Sequence, residues 1–160
     1  MSETIDAKAE LLAFMDQTLH LYKVDLPHIP ADKFSGSPMG VARSPQDFTA
    51  ECIGYNKFAA STMRGETYPQ RSPEDRAAFI ASLDTPEKAL SALEASVDAL
   101  KSAVNGLDEK GLCETVTAPW GAQMSKYRMA LSATSHMFYH EGQVTYIQAL
   151  YGDNENHWAG

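Results

Sequence analysis

The chain has 160 residues, of which 44% are hydrophobic, and a net charge of -8 from 13 Lys and Arg against 21 Asp and Glu. A chain of this length and composition can bury one core, whereas two domains would each be marginal. The negative charge repels nucleic-acid backbones and anionic membrane surfaces. We therefore expect one domain spanning residues 1–160, with no nucleic-acid partner and no membrane partner.

The two cysteines, Cys52 and Cys113, lie far apart and outside any CxxC spacing. This pattern fits neither a zinc ribbon nor the disulfide framework of a small secreted domain. Residues 1–10 carry acids where a signal peptide requires a basic and then an apolar run, and no apolar stretch approaches the length of a membrane span. The sequence therefore predicts a cytoplasmic protein with reduced thiols.

Three helix starts share the same chemistry, with a hydroxyl residue followed by proline at Ser44-Pro45, Ser72-Pro73 and Thr85-Pro86. The hydroxyl caps free backbone N–H groups, and proline at the first helical position loses no hydrogen bond. Together with the apolar periodicity, these signals predict helices over residues 6–22, 45–64, 72–82, 85–105 and 125–151. The inner face of the first helix is predicted to carry Ile5, Leu12, Met15, Leu19 and Tyr22.

No alternating run is long enough to indicate a strand, so we expect an all-α four-helix bundle. Two connections are long, over residues 23–43 and 106–124. A long connection is usually a lid, a crossover or a functional surface. The second connection carries Trp120, which we expect near the mouth of the bundle. Residues 154–160 are expected to fray.

His136 and His140 lie four residues apart in an apolar helix. Residues at this spacing stand one above the other on the same helix face, so both rings can aim at one ion. Spacing alone is weak evidence, because neighbouring groups can also satisfy such a pair. Gln143 faces the same way and could hold a ligand or a bound water.

Glu51 projects into the apolar face of the second helix, between Tyr55 and Phe58. An unpaired carboxylate there would cost several kcal/mol on an order-of-magnitude estimate. Protonated histidines, the Tyr55 hydroxyl, or a metal shared with His136 and His140 could each compensate for it. A metal-free Glu/His network is an open alternative. If the register differs by one, Cys52 replaces Glu51 as the third ligand, although Cys52 also fits a small buried apolar position.

The motif His136-x-x-x-His140-Glu141-Gly142-Gln143, closed by Gly152, resembles the last-helix signature of the DinB family, H-x-x-x-H-R-G-Q. The second helix is similar as well. In that family a serine cap is followed after seven residues by a metal-binding histidine, and here that count runs from Ser44 to Glu51. The resemblance implies a four-helix bundle of DinB type. It also implies a metal-dependent hydrolase, or a transferase or isomerase that uses a low-molecular-weight thiol.

Two positions depart from the family pattern, with Glu51 in place of the helix-2 histidine and Glu141 in place of the arginine. A carboxylate is still a competent ligand for zinc, nickel, manganese or iron(II). The predicted site therefore holds one divalent ion on Glu51, His136 and His140, with Cys52 as the alternative third ligand. The carboxylate would make the ion a weaker Lewis acid, so the family's activity does not follow directly.

Two functions remain open. The first is an enzyme acting on an unknown small-molecule substrate, in which Gln143, Tyr55 and Tyr139 are the candidate catalytic residues. The second is a non-catalytic, stress-linked binding protein whose Glu51/His136/His140 cluster is structural and metal-free. We expect a homodimer in either case. DNA repair ranks last, because the chain has no basic stripe to meet a nucleic acid.

Overall fold

The structure is a computed structural model that describes residues 5–158. Over these residues the chain forms six helices and one pair of short strands. In chain order they are α1 Ala7–Asp25, α2 Pro45–Met63, α3 Pro73–Ser82, α4 Pro86–Asn105, α5 Glu109–Cys113, β1 Thr115–Thr117, β2 Gln123–Ser125 and α6 Lys126–Leu150.

The capping signals read from the sequence set the helix starts. The Ser44 and Asp47 side chains cap each other's backbone N–H groups at the start of α2, and Ser72 and Thr85 cap α3 and α4. Reciprocal capping of this kind satisfies N–H groups that have no partner within the helix. The three predicted starts are confirmed to within one residue. Gly65, at φ +72°, turns the chain just past α2, as a C-terminal glycine does.

Four of the helices build the bundle. Helices α1 and α2 each pack against both α4 and α6, so α1 and α2 face each other across the centre. The core fills this centre with buried side chains from all four helices. The all-α bundle predicted from the sequence is confirmed. Within residues 5–158, no helix combines the length and apolar character needed to cross a bilayer.

The long connection before α6 contains two elements that the sequence analysis did not predict. Helix α5 is one of them, and the antiparallel hairpin of β1 and β2 is the other, pairing Thr115 with Ser125 and Thr117 with Gln123. Each strand has only three residues, too few for an alternating pattern to be seen in the sequence. The hairpin carries Trp120 in its turn region.

The prediction that Ile5 lies on the inner face of α1 is wrong. Ile5 is 79% exposed because it precedes Asp6, whose side chain caps the helix at Lys8 and Ala9. Leu11 occupies the core instead. Met15, Leu19 and Tyr22 are buried as expected.

The connection between α1 and α2 is packed, with two 3-10 turns at Leu26–His28 and Ala31–Lys33. Leu26, Ile29 and Phe34 are buried, and the Phe34 carbonyl accepts a hydrogen bond from the Gln46 backbone N–H. This anchoring fixes the path of the chain into α2. It also brings Arg43, the residue before the Ser44 cap, to the edge of the bundle.

Candidate metal centre

The two histidines of α6 stand one helical turn apart with their rings facing the same space. Their Nε2 atoms are 3.2 Å apart, and the ring planes are perpendicular with centroids 4.6 Å apart. Helix geometry alone produces this separation, because residues i and i+4 lie on the same face. The spacing of the pair along the helix is therefore set within α6.

The His140 ring is held by two neighbours. The Gln143 amide oxygen lies 2.6 Å from Nδ1, and the Phe48 ring stacks on the imidazole at 5.2 Å with an interplanar angle of 6°. An amide oxygen only accepts, so Nδ1 carries the proton and Nε2 keeps a lone pair. That lone pair faces His136. Metal-binding histidines usually donate a hydrogen bond in this way from the ring nitrogen that does not contact the metal.

His136 lies closer to solvent than His140. Its Nδ1 is buried and has no hydrogen-bond partner among residues 5–158, and Tyr55 packs edge-on against its ring at 5.5 Å. Burial lowers the pKa of both imidazoles, which favours the neutral forms. Neutral imidazole is the form that binds metal ions.

Glu51 reaches the same space from α2. Its two carboxylate oxygens lie 3.7 Å from His136 Nε2 and 3.8 Å from His140 Nε2. The Arg43 guanidinium forms an ion pair with the same carboxylate. Burial acts to raise the pKa of Glu51, but the hydrogen bond and charge of Arg43 outweigh it and leave the pKa below its usual value. The carboxylate is therefore ionised at neutral pH.

Cys52 offers an alternative third donor. Its Sγ and ring nitrogens of His136 and His140 lie within 4.8 Å of one another. The thiol is buried, 3.8 Å from the Tyr22 hydroxyl, and burial raises its pKa to about 12. Thiolate is the ligand form of cysteine, so a bound ion would first have to overcome this cost.

The donor set fits a divalent ion. Ligand bonds of about 2.0 to 2.2 Å at tetrahedral angles place neighbouring donors about 3.4 Å apart. The two histidine Nε2 atoms are 3.2 Å apart, while His136 lies 3.7 Å from Oε1 of Glu51 and His140 lies 3.8 Å from Oε2. The carboxylate would therefore have to shift to bring one oxygen, or both together, onto a shared ion. Two nitrogens and one oxygen suit zinc, nickel, manganese or iron(II) and leave a coordination position open.

A cleft of about 510 Å³ opens beside His136 and Glu51. Its aromatic lining comes from α2, α3, the loop between them and the turn between β1 and β2, and comprises Tyr55, Phe58, Tyr68, Phe79 and Trp120. Arg71 lies over the Phe79 ring at 4.2 Å, and Arg76 lines the same wall. The Tyr55 hydroxyl donates to Ser132 at 3.0 Å. A second cavity of about 270 Å³ lies beside Arg43 and Gln143, with Phe48 in its wall.

The structure brings together Glu51, Cys52, His136, His140 and Gln143, and their roles as ligands or supports stay predictions. Tyr55, a candidate catalytic residue, lines the cleft. Tyr139 is exposed and does not line it, although its hydroxyl lies 3.4 Å from the Gln143 amide nitrogen and its ring packs edge-on against His140.

The environment of Glu51 differs from the one expected. Its side chain is 34% exposed at the rim of the bundle, and the Arg43 guanidinium neutralises its charge. The sequence suggests protonated histidines, the Tyr55 hydroxyl or a metal as the compensating partner, and not Arg43. Cys52, the residue after Glu51, points into the core in its place. The sequence offered no signal for Arg43, because this residue lies outside the helix and its approach to Glu51 depends on the path of the preceding loop.

Glu141 points away from the cleft, toward α1. It is buried, accepts a hydrogen bond from Thr145 Oγ1 at 2.9 Å, and faces the buried Asp25. Burial, and then the hydrogen bond with Asp25, raise the pKa of Glu141 to about 7. The acid at the position of the family arginine thus belongs to the contact between α1 and α6.

No family model and no curated protein matches. Among solved structures, a conserved protein from Enterococcus faecalis matches with a TM-score of 0.72 at 14% identity, covering 92% of this chain and 98% of that one. A protein from Streptococcus pneumoniae matches with a TM-score of 0.68 at 16% identity, covering 94% of each chain.

A mycothiol-dependent maleylpyruvate isomerase also matches, with a TM-score of 0.65 at 18% identity. The match covers 86% of this chain, which spans only 60% of the isomerase. These likenesses establish the fold. The chain has a DinB-like helical-bundle fold, and Cys52, His136 and His140 form a group of possible metal ligands beside the cleft.

Proposed function

We propose that this protein is a divalent-metal-dependent enzyme that acts on a small molecule in the cleft, with a low-molecular-weight thiol as co-substrate. The observation that carries the proposal is the convergence of His136, His140 and Glu51 on one space at the wall of the cleft. Thiol use is supported by the shared fold with a mycothiol-dependent isomerase. A metal-dependent hydrolase would use the same site, with water in place of the thiol.

Each residue around the site has a separate task in this proposal. His136 and His140 would hold the ion through Nε2, and Glu51 would complete the set. The ion would supply a nucleophile at neutral pH by favouring the anionic form of a bound thiol or water. Gln143 keeps the His140 proton on Nδ1, and Phe48 prevents that ring from turning.

The cleft residues would bind and orient the substrate. Tyr55 and Trp120 pack edge to face at 5.8 Å next to His136 and present apolar surface to a bound molecule. Arg71 and Arg76 also line the cleft and bring positive charge to it. This combination favours a small molecule with an apolar or unsaturated body and an anionic group.

Metal analysis and a thiol assay test the proposal together. We expect purified protein to hold close to one divalent ion per chain at this site, and His136→Ala or His140→Ala to remove it. The metal-loaded protein should then accelerate transfer of mycothiol, glutathione or cysteine to an electrophilic probe such as chlorodinitrobenzene. Ligand variants should lose this activity, and a chelator should lower the melting temperature of the wild type more than that of the ligand variants.

One observation favours a non-catalytic alternative. The Arg43 guanidinium already compensates the charge of Glu51 without an ion, so the cluster can be satisfied as a closed polar network. In that case purified protein would hold no ion at the histidine pair, and the chelator would change the melting temperatures of the wild type and of the His136 and His140 variants by the same amount. The protein would then be a DinB-fold binding module.

A further inference from the structure

A second group of metal-ligating side chains lies where the turn after α1 meets the segment after α6. His157 Nε2 is 2.9 Å from Asp153 Oδ2, and His28 Nδ1 is 3.7 Å from the same oxygen. The three donor atoms all lie within 4.8 Å of one another. None of these residues belongs to the site on α2 and α6.

Two of the three donors are anchored by backbone structure. Gly152, at φ +93°, turns the chain at the end of α6, and the Asp153 N–H donates to the Gln148 carbonyl at 3.1 Å. His28 closes a 3-10 turn in which the Ile29 N–H donates to the Leu26 carbonyl. His157 then folds back from the segment after α6. Within the range 154–160 that is expected to fray, His157 thus contacts the turn after α1, and residues 159 and 160 lie outside the part of the chain that the structure describes.

The two imidazoles are stacked face to face, with centroids 3.4 Å apart and an interplanar angle of 8°. Each ring directs one nitrogen toward the same carboxylate oxygen. Asp153 forms a hydrogen bond with His157, whereas His28 Nδ1, at 3.7 Å, is too far away for a second one. One divalent cation would satisfy both nitrogens and the carboxylate together.

We propose that His28, Asp153 and His157 form a second divalent-cation site, suited to zinc or a similar borderline ion, which fastens the segment after α6 to the turn after α1. Two imidazoles and one carboxylate are a common zinc donor set. The two distances to Asp153, 2.9 and 3.7 Å, lie on either side of the separation of about 3.4 Å expected between tetrahedral ligands.

Binding requires a small rearrangement of the rings. Imidazole lone pairs lie in the ring plane, so two parallel rings must open before both can point at one ion. The His28 side chain is 43% exposed, which gives it room to turn. Asp153 and His157 already lie at hydrogen-bond distance and need to move less.

Zinc stoichiometry in variants tests the site. The 160-residue chain is dialysed against micromolar zinc, and bound zinc per chain is measured by elemental analysis. The His136→Ala variant disables the first site at a half-exposed position, and His157→Gln disables the second while keeping an amide near Asp153. His20→Gln is the matched control, because His20 is an exposed histidine on α1.

We expect two zinc ions in the wild type, one in His136→Ala, and none in His136→Ala/His157→Gln. The control double variant His136→Ala/His20→Gln should keep one. Equal zinc content in His136→Ala and His136→Ala/His157→Gln would overturn the second site. If only the proposed site on α2 and α6 does not bind zinc, the wild type binds one ion. That ion is then lost in His157→Gln and kept in His136→Ala.

Limited proteolysis gives an independent readout. Zinc should slow chymotrypsin cleavage after Tyr151 and Trp158 severalfold in His136→Ala, because the ion ties down the intervening chain. The same treatment should have no effect in His136→Ala/His157→Gln. A cleavage rate that zinc leaves unchanged in His136→Ala would contradict the proposed fastening.

Discussion

Arg43 and Glu51 form an ion pair at the rim of the cleft, and the same carboxylate faces the Nε2 atoms of His136 and His140. The guanidinium and a bound cation would therefore compete for one carboxylate. Arg43 also adds a positive charge beside the position that the cation would occupy. This residue should tune the affinity of the site.

We expect Arg43→Gln to raise the affinity for zinc about tenfold, equivalent to about 1.4 kcal/mol, because it removes both the competitor and the charge. Isothermal titration calorimetry measures the effect. Arg64→Gln is the matched control, since Arg64 forms an exposed ion pair with Glu66. In a Glu51→Gln background, most of the gain should disappear. If Arg43→Gln raised the zinc affinity equally in Glu51→Gln, the gain would come from removing the positive charge and not from freeing the carboxylate.

Variants of Glu51 and Cys52 identify the third ligand. We expect Glu51→Gln to lower zinc affinity by more than the roughly 10- to 100-fold typical of losing a residue that only supports a ligand. Cys52→Ala should change affinity little, because burial of the thiol opposes formation of the thiolate. Cobalt(II) substitution checks this by absorption spectroscopy. A thiolate-to-cobalt charge-transfer band that vanishes in Cys52→Ala would assign the ligand to Cys52 instead.

Gln143→Ala is expected to weaken metal binding about 10- to 100-fold, because the His140 Nδ1–H loses its acceptor and the ring its fixed tautomer. The melting temperature of metal-free protein should change much less than the affinity. Gln123→Ala on β2 is the control, since Gln123 is an exposed residue whose amide donates to Thr117. Unchanged affinity in Gln143→Ala would remove Gln143 from the site.

The buried Glu141 should make stability depend on pH. Its pKa in the folded protein is about 7, against an ordinary value of 4.5, so the folded state binds the proton more tightly than the unfolded state. The resulting stabilisation is fully present below pH 4.5 and is lost as the pH rises to about 7. It amounts to something on the order of 2 to 3 kcal/mol.

Urea unfolding of the wild type and Glu141→Gln at pH 5 and pH 8 measures this effect. The groups that face Glu141 are Asp25 and Tyr22 on α1 and Thr145 on α6. The amide cannot ionise, so the variant should lose less stability than the wild type between the two pH values. Identical pH dependence of the two proteins would show that Glu141 does not carry it.

The sequence predicted the features that depend on local chemistry. Helix starts at Ser44, Ser72 and Thr85 follow from capping, and the pairing of His136 with His140 follows from helical spacing. The approach of Glu51 to that pair was also anticipated, from the resemblance and the helical arc. The helix starts and the histidine pair need only the local chemistry and periodicity of a single helix. The approach of Glu51 also depends on the register of α2 against α6.

Features that depend on the path of loops were not predictable. Arg43 reaches Glu51 because buried Phe34 and the 3-10 turns fix the connection before α2. Cys52 and Glu51 differ by about 100° around α2, and the sequence does not reveal how α2 is rotated against α6. The return of His157 to His28 likewise depends on a glycine turn beyond the last helix.

Because both imidazoles belong to α6, a sideways movement or rotation of α2 would leave the spacing of their backbone positions untouched, and would change the third donor and the Phe48 ring that stacks on His140. Two of the four ligand positions of a tetrahedral site thus come from one helix, whatever the way the helices assemble. Evolution can exchange histidine, glutamate or cysteine on α2 while the ring pair remains in place, and each exchange would shift the preferred ion and its reactivity.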